Sequence, residues 1–283
     1  MMPITADDIS IVLSGGSGNL DANLSIGGDP SSAPIVNNQI NNLFNDVIPA
    51  EAEAGHEDYR CFYVFNDGDE PAYNIEVWIE SQVDEGSSVE IGIVDRDELQ
   101  RLTLSGGLPT AGTATFSYEG KTFSIGAIDD LAEAALEIQD GLNSLVNDEG
   151  YQLLETVEVT TPSSLGSSVI IFDVLFTDND GKKDHAQIVL ENDSHVPTDV
   201  TWTITTTQEG APVNRIAPSI ANDATSPEDV NFYAASELSP IQIYRLLPGE
   251  GFPMWARRTT PSGAVSVPSD GFTVKFRMET IEP

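Results

Sequence analysis

Ser14-Gly-Gly-Ser-Gly-Asn19 has the glycine density of a phosphate cradle, in which backbone N–H groups surround an anion. It lacks the Lys-Ser/Thr pair such a loop needs, and no strong strand feeds it into a helix. Asn19 also stands where a nucleophile elbow requires its second glycine, so these glycines read as turn residues. His56, His185 and His195 show no metal-ligand spacing. The first lies in an acidic loop, the second on a hairpin strand and the third in Asn192-Asp-Ser-His-Val-Pro197, so solvent-exposed imidazoles are expected. Asp178-Asn-Asp-Gly-Lys-Lys-Asp184 and Asn66-Asp-Gly-Asp-Glu70 superficially resemble calcium loops. A calcium hand needs further oxygen ligands and a closing Glu, and two lysines occupy the middle of the first stretch. The tip of a hairpin or a tight turn explains Asn-Asp-Gly equally well. Trp78, Trp202 and Trp255 could build a sugar platform, but each sits in a strand pattern that favours core or sheet-face packing. Carboxylates are so abundant that no pair stands out for acid–base work. No catalytic, cofactor-binding or metal residue is assigned, no cofactor is expected, and the reading is of a protein that is not an enzyme.

The 283 residues are 40% hydrophobic and 20% charged, a globular rather than disordered composition, and 23 Gly with 17 Pro favour short strands joined by turns. Asp and Glu number 46 against 12 Lys and Arg, a formal net charge of -34. That balance opposes nucleic-acid and anionic-membrane partners, because both require clustered cations. It fits solubility in salty surroundings, a basic partner surface or divalent-cation binding. Before Arg96 the only basic residue is Arg60, whereas Arg245, Arg257, Arg258, Lys275 and Arg277 crowd the C-terminal part. The asymmetry predicts pairing across a sheet with acidic strands of the same chain, or docking on an acidic subunit. Cys61 is alone, which excludes a disulfide framework, and its apolar surroundings predict a buried thiol. The opening Met-Met-Pro-Ile-Thr-Ala-Asp-Asp has no signal-peptide pattern, and no apolar run is long enough for a membrane span.

Tyr59–Phe65 is apolar on both faces, and in 74–81 Ile75, Val77 and Ile79 alternate with Glu76, Trp78 and Glu80. Val89–Val94 reads as a third strand, and strand signals resume at Gln242–Leu247, Phe252–Thr259 and Phe272–Thr280. Between them lies a self-sufficient stretch. Thr113–Ile125 forms a hairpin turned at Glu119-Gly120, and Ile128, Leu131, Ala135, Ile138, Leu142 and Leu145 recur at helical steps. Strands follow at Leu153–Thr161, Ser168–Thr177, Asp184–Glu191 and Val200–Gly210. Residues 1–55, rich in Gly, Pro and Asn, read as an extended arm and loops, with a helical turn at Asn37–Val47. Three strands on either side of the middle stretch are too few for a sandwich alone, and joined they make one. The expected fold is therefore mainly β: a split β-sandwich (56–98 plus 212–283) interrupted by a small α+β module with one helix on a sheet (99–211). Three domains in linear order are the alternative.

The middle stretch resembles a β-rich module that recurs in structural proteins of tailed bacteriophages and in some large bacterial surface proteins. The matching pieces are Gly112-Thr-Ala-Thr-Phe-Ser-Tyr-Glu-Gly120, Ala134-Ala-Leu-Glu-Ile-Gln-Asp-Gly-Leu-Asn143 and Thr205-Thr-Thr-Gln-Glu-Gly210. The flanks are similar to uncharacterised virion proteins of tailed phages through Leu13-Ser-Gly-Gly-Ser-Gly-Asn19, Ser25-Ile-Gly-Gly28, Asn42-Leu-Phe44, Tyr59-Arg-Cys-Phe-Tyr-Val64 and Trp255-Ala-Arg-Arg-Thr259. The resemblance implies a virion structural protein, made in the host cytoplasm and assembling with other virion proteins as a homo-oligomer, without nucleic acid or membrane. A tail or baseplate position is slightly favoured. Capsid decoration and attachment to a host surface or glycan are the alternatives.

Overall fold

Strand formation follows the alternation of β-branched and aromatic residues along the chain. The computed structural model describes residues 4–82, 86–148, 150–211, 216–265 and 271–279. It is mainly β, with one helix of seven residues or more among them. The chain divides into two units, Met1–Asp95 with Arg215–Pro283, and Arg96–Asn214. In chain order the first unit contributes β1 (Ile9–Ser14), β2 (Pro30–Pro34), α1 (Pro49–Ala54), β3 (His56–Asn66), β4 (Ala72–Gln82) and β5 (Ser88–Val94). The second contributes β6 (Leu99–Ser105), β7 (Ala114–Tyr118), β8 (Lys121–Ile125), α2 (Leu131–Asn143), β9 (Val157–Thr160), β10 (Val169–Phe176), β11 (Val189–Asp193) and β12 (Thr201–Gln208). The chain then returns to the first with β13 (Val230–Tyr233), β14 (Ile241–Leu246), β15 (Gly251–Thr260) and β16 (Phe272–Glu279).

Among the described residues, the first unit holds a six-stranded sheet, β13-β5-β15-β3-β1-β2, and a three-stranded one, β14-β4-β16. All pairings are antiparallel. Phe62 and Val64 of β3, Phe252 and Met254 of β15, Ile75 and Val77 of β4, and Ile243 of β14 share one core, which makes the arrangement sandwich-like. The two-sided apolarity of β3 has its reason on the opposite face. There Tyr59, Cys61, Tyr63 and Trp255 form a second cluster with Ala217 and Ile220. Burial pushes the Cys61 thiol far above its ordinary range, so no thiolate is available for chemistry.

Residues 1–55 are not an arm. β1 pairs with β3 from Ile9↔Asn66 to Leu13↔Phe62, β2 pairs with β1, and Ile4, Ile9, Leu13, Leu43 and Phe44 enter the core. The turns have their own polar anchoring, which a composition reading does not register. Ser25 Oγ accepts from Ser14 N at 2.7 Å and donates to Cys61 O at 2.8 Å, and Asn19 Nδ2 donates to Ser14 O at 2.6 Å. Residues 37–47 make turns and bends instead of a helix, with Leu43 and Phe44 buried and Ile40 in solvent. The helix starts later, at α1, where Pro49 occupies a position whose N–H would go unpaired anyway.

In the second unit a four-stranded sheet, β12-β6-β10-β9, and a three-stranded one, β11-β7-β8, enclose a core with α2. The hairpin turns where the sequence places it, with positive φ at Glu119 and Gly120 and Tyr118 opposite Lys121. Asp130 caps α2 by accepting from Ala132 N and Glu133 N. The helix buries Leu131, Ala135, Ile138 and Leu142 against β8 and β9. Its polar side chains guard the edge of β9: Gln139 Oε1 accepts from Val159 N at 3.1 Å, and Asn143 Oδ1 from Val157 N at 3.4 Å. Leu99–Ser105, for which the sequence reading names no strand, is β6, an interior strand of the larger sheet. Asp178–Asp184 is not a hairpin tip, because β10 and β11 lie in different sheets and this segment crosses between them. Asp180 is buried there and accepts from Thr156 N at 2.9 Å.

Gly141 lies where α2 presses on β8, and a Cβ there would sit 2.5 Å from the Phe123 ring. Gly141→Ala, which gains about 0.5–1 kcal/mol in an open helix, is expected instead to lower the melting temperature of the second unit. Replacing residues 96–214 by a short Gly-Ser linker is expected to leave a remainder with a strand-rich circular dichroism spectrum and a cooperative melt. A molten product would show that the first unit does not fold alone.

Candidate functional site

β6 and β12 run side by side from Ser105↔Thr201 to Leu99↔Gln208. Their pairing brings Glu98, just before β6, beside Glu209, just after β12. Beyond them Ala211 N donates to Arg96 O at 3.0 Å, Arg96 Nε to Glu209 O at 2.8 Å and Gln208 Nε2 to Asp97 O at 2.7 Å. The first and last described residues of the unit are thus laced together. Asp184 reaches the same place from the crossover segment. The backbone there is so close that a Cβ on Gly210 would lie 1.8 Å from Lys183 O. Glu98, Asp184 and Glu209 each place a carboxylate oxygen within 4.8 Å of the other two.

Glu98 is fully buried and accepts from His185 N at 2.6 Å and Gln100 Nε2 at 2.7 Å. Burial raises its pKa above the ordinary carboxyl range, these bonds pull it back in part, and the charge of Asp184 adds to the rise. Asp184 is raised by its burial first, then by its hydrogen bond to Glu209 and the negative charge there. The oxygens of the trio are close enough to converge on one cation. The ring of His185 is turned away, stacked on Phe176 at 4.0 Å, with Nε2 2.6 Å from Asp180 O and Nδ1 2.8 Å from Tyr118 Oη.

The expectation of exposure fails for two of the three histidines. His185 and His195 are buried because each ring tethers a loop to the core, His195 through Nε2 to Gly126 O at 2.9 Å. Its Nδ1 lies 3.1 Å from Asp193 Oδ1 but out of line for a hydrogen bond. His56 is half-buried against Asp58 in the first unit. Ser14–Asn19 is a turn with positive φ at Gly15 and Gly16, and its buried serine is spent on backbone contacts. In Asn66–Glu70 the Asn66 amide bonds Glu70 O and Leu246 O, and its oxygen accepts from Gly68 N, so that carboxylate-rich loop is organised as a turn. Trp78, Trp202 and Trp255 are all buried, the second in one unit and the other two in the other. No helix among the described residues is long and apolar enough to cross a membrane. The carboxylate trio escaped the sequence reading because its members meet only through the β6–β12 ladder. No known protein-family model matches the chain, and no curated protein gives a significant sequence match.

Carboxyls with raised folded-state pKa values stabilise below their unfolded values, about 4, and lose that contribution as pH rises through the folded ones. The second unit is therefore expected to melt at a higher temperature near pH 5 than near pH 8. Glu209→Gln, which removes one charge and supplies a donor to Asp184, should flatten that difference by raising the value at pH 8. An unchanged pH profile in the variant would show that the trio does not set it.

Proposed function

We propose that this chain is a non-enzymatic structural component of a tailed-phage virion that assembles through protein–protein contacts. The observation that carries the reading is the surface of residues 20–48. Leu20 is 79% exposed and Ile40 83% exposed, with Leu24, Val36 and Ile48 also more than half exposed, on loops anchored to the first unit by β1 and β2. Single exposed apolar residues are ordinary, but five within one such stretch favour burial against neighbours. The resemblance of the flanks to virion proteins, and of the middle stretch to a module of phage structural proteins, supports the particle context. It favours a tail or baseplate position over capsid decoration. A role in glycan or host-surface attachment would draw support from exposed aromatics on the second unit, yet Phe116, Tyr118, Phe123, Phe172, Phe176 and Trp202 are all committed to its core.

Two measurements test this. Mass spectrometry of purified particles is expected to find the chain at a fixed stoichiometry, and its absence would remove the proposal. Leu20→Ser with Ile40→Ser is expected to lower incorporation severalfold while leaving the melting temperature of the free protein unchanged, since both side chains stand in solvent.

A further inference from the structure

We propose that the outer face of the β12-β6-β10 strands is a self-association surface that receives a second copy of this chain. The inference rests on the assembly reading above and names one partner surface for it. Trp202, Leu102, Leu104, Ile170, Phe172 and Val174 point into the core, so the alternate residues of these strands face outward. The register sets them in rows: Thr201 beside Ser105 and Val169, then Thr203 beside Thr103 and Ile171, then Thr205 beside Arg101 and Asp173. Thr201, Thr203 and Thr205 are exposed, and Val169 is 42% exposed.

Charge selects the occupant. The chain carries a formal net charge of -34, so most approaches of one copy to another are repulsive. These three rows hold only Arg101 and Asp173, which cancel in a two-pronged pair, Nε to Oδ1 at 2.7 Å and an outer nitrogen to Oδ2 at 2.8 Å. Further carboxylates lie beyond the rows, Glu158 at the far edge on β9 and exposed Asp199 two residues before Thr201. Depletion of net charge is one mark of an interface centre. Hydroxyl and methyl groups match their own kind under a two-fold axis, as an isologous contact requires. A basic partner would find nothing to pair with in these rows, whereas a second copy meets no repulsion.

Magnitude limits the strength. Three strands about 4.8 Å apart and some seven residues long cover about 330 Å², less than half the roughly 800 Å² per partner of a stable interface. Association is therefore weak and opposed by long-range repulsion. That repulsion is screened over about 10 Å at 0.1 M salt and about 3 Å at 1 M. Sedimentation of the full chain is expected to give monomer at micromolar concentration and low salt, with dimer growing towards millimolar concentration and about 1 M NaCl. Thr203→Glu and, separately, Thr201→Glu should each weaken dimerisation at least tenfold with unchanged melting temperatures. A chain that stays monomeric throughout, or variants that dimerise as the parent does, would overturn the proposal. Particles that contain a chain unable to self-associate would retain the assembly reading and remove only this one.

Discussion

The whole arrangement depends on β15 lying between β3 and β5. Its ladder with β3 runs without interruption from Gly251↔Phe65 to Thr260↔His56, and its other edge pairs with β5 from Trp255↔Gly92 to Thr259↔Ser88. That one strand makes a single sheet from two stretches of chain between which the whole second unit intervenes. Phe252, Met254 and Ala256 go to one core and Trp255 to the other, so both clusters of the first unit depend on it. Burying a large apolar side chain contributes about 1.5–3 kcal/mol, whereas exposed ion pairs contribute about 0–1 kcal/mol. Apolar burial holds β15 in place and fixes its register, since a one-residue slip would exchange the two faces.

The uneven distribution of basic residues acquires its meaning there. Arg257 sits opposite Glu90 with Nε 3.0 Å from its carboxylate, and Arg258 opposite Asp58 at 2.9 Å. On the other sheet Arg277 faces Glu76 at 2.7 Å, and Lys275 reaches Glu80 at 2.7 Å. Arg60, fully buried, bonds Asp223 and Asn45. The late cations thus neutralise acidic strands made earlier. Much of the scarce positive charge is used inside the first unit, which leaves the acidic surplus to govern how the exterior meets other molecules.

Much of this was readable from residue types. The two-faced run Tyr59–Phe65, the Glu119-Gly120 turn and the helical spacing of Leu131, Ala135, Ile138 and Leu142 each reflect a local rule that tertiary context did not override. Failures came where a residue's role is set by distant partners. Leu99–Ser105 alternates like a strand but follows Asp95-Arg-Asp-Glu98, whose charge reads as a linker until β10 and β12 flank it. Ile9–Leu13 is short and set among glycine-rich turns, and only β3 makes it a strand. Asn179-Asp-Gly181 has hairpin chemistry, yet Asp180 is spent on the backbone of Glu155 and Thr156, which sequence adjacency does not reveal. The carboxylate trio was invisible for the same reason, since spacing along the chain says nothing of three residues joined by a ladder.

The β15–β3 ladder also fixes an order of events during synthesis. Every strand of the second unit has been made once Gln208 leaves the ribosome, so its hydrogen bonding can close while translation continues. β3 has no such option: its neighbour on one side, β15, is made only after the whole second unit. Until β15 emerges, the Tyr59–Phe65 segment is therefore a nascent strand with two greasy faces and an unpaired edge, the kind of segment that chaperones shield and that aggregates when production outruns them.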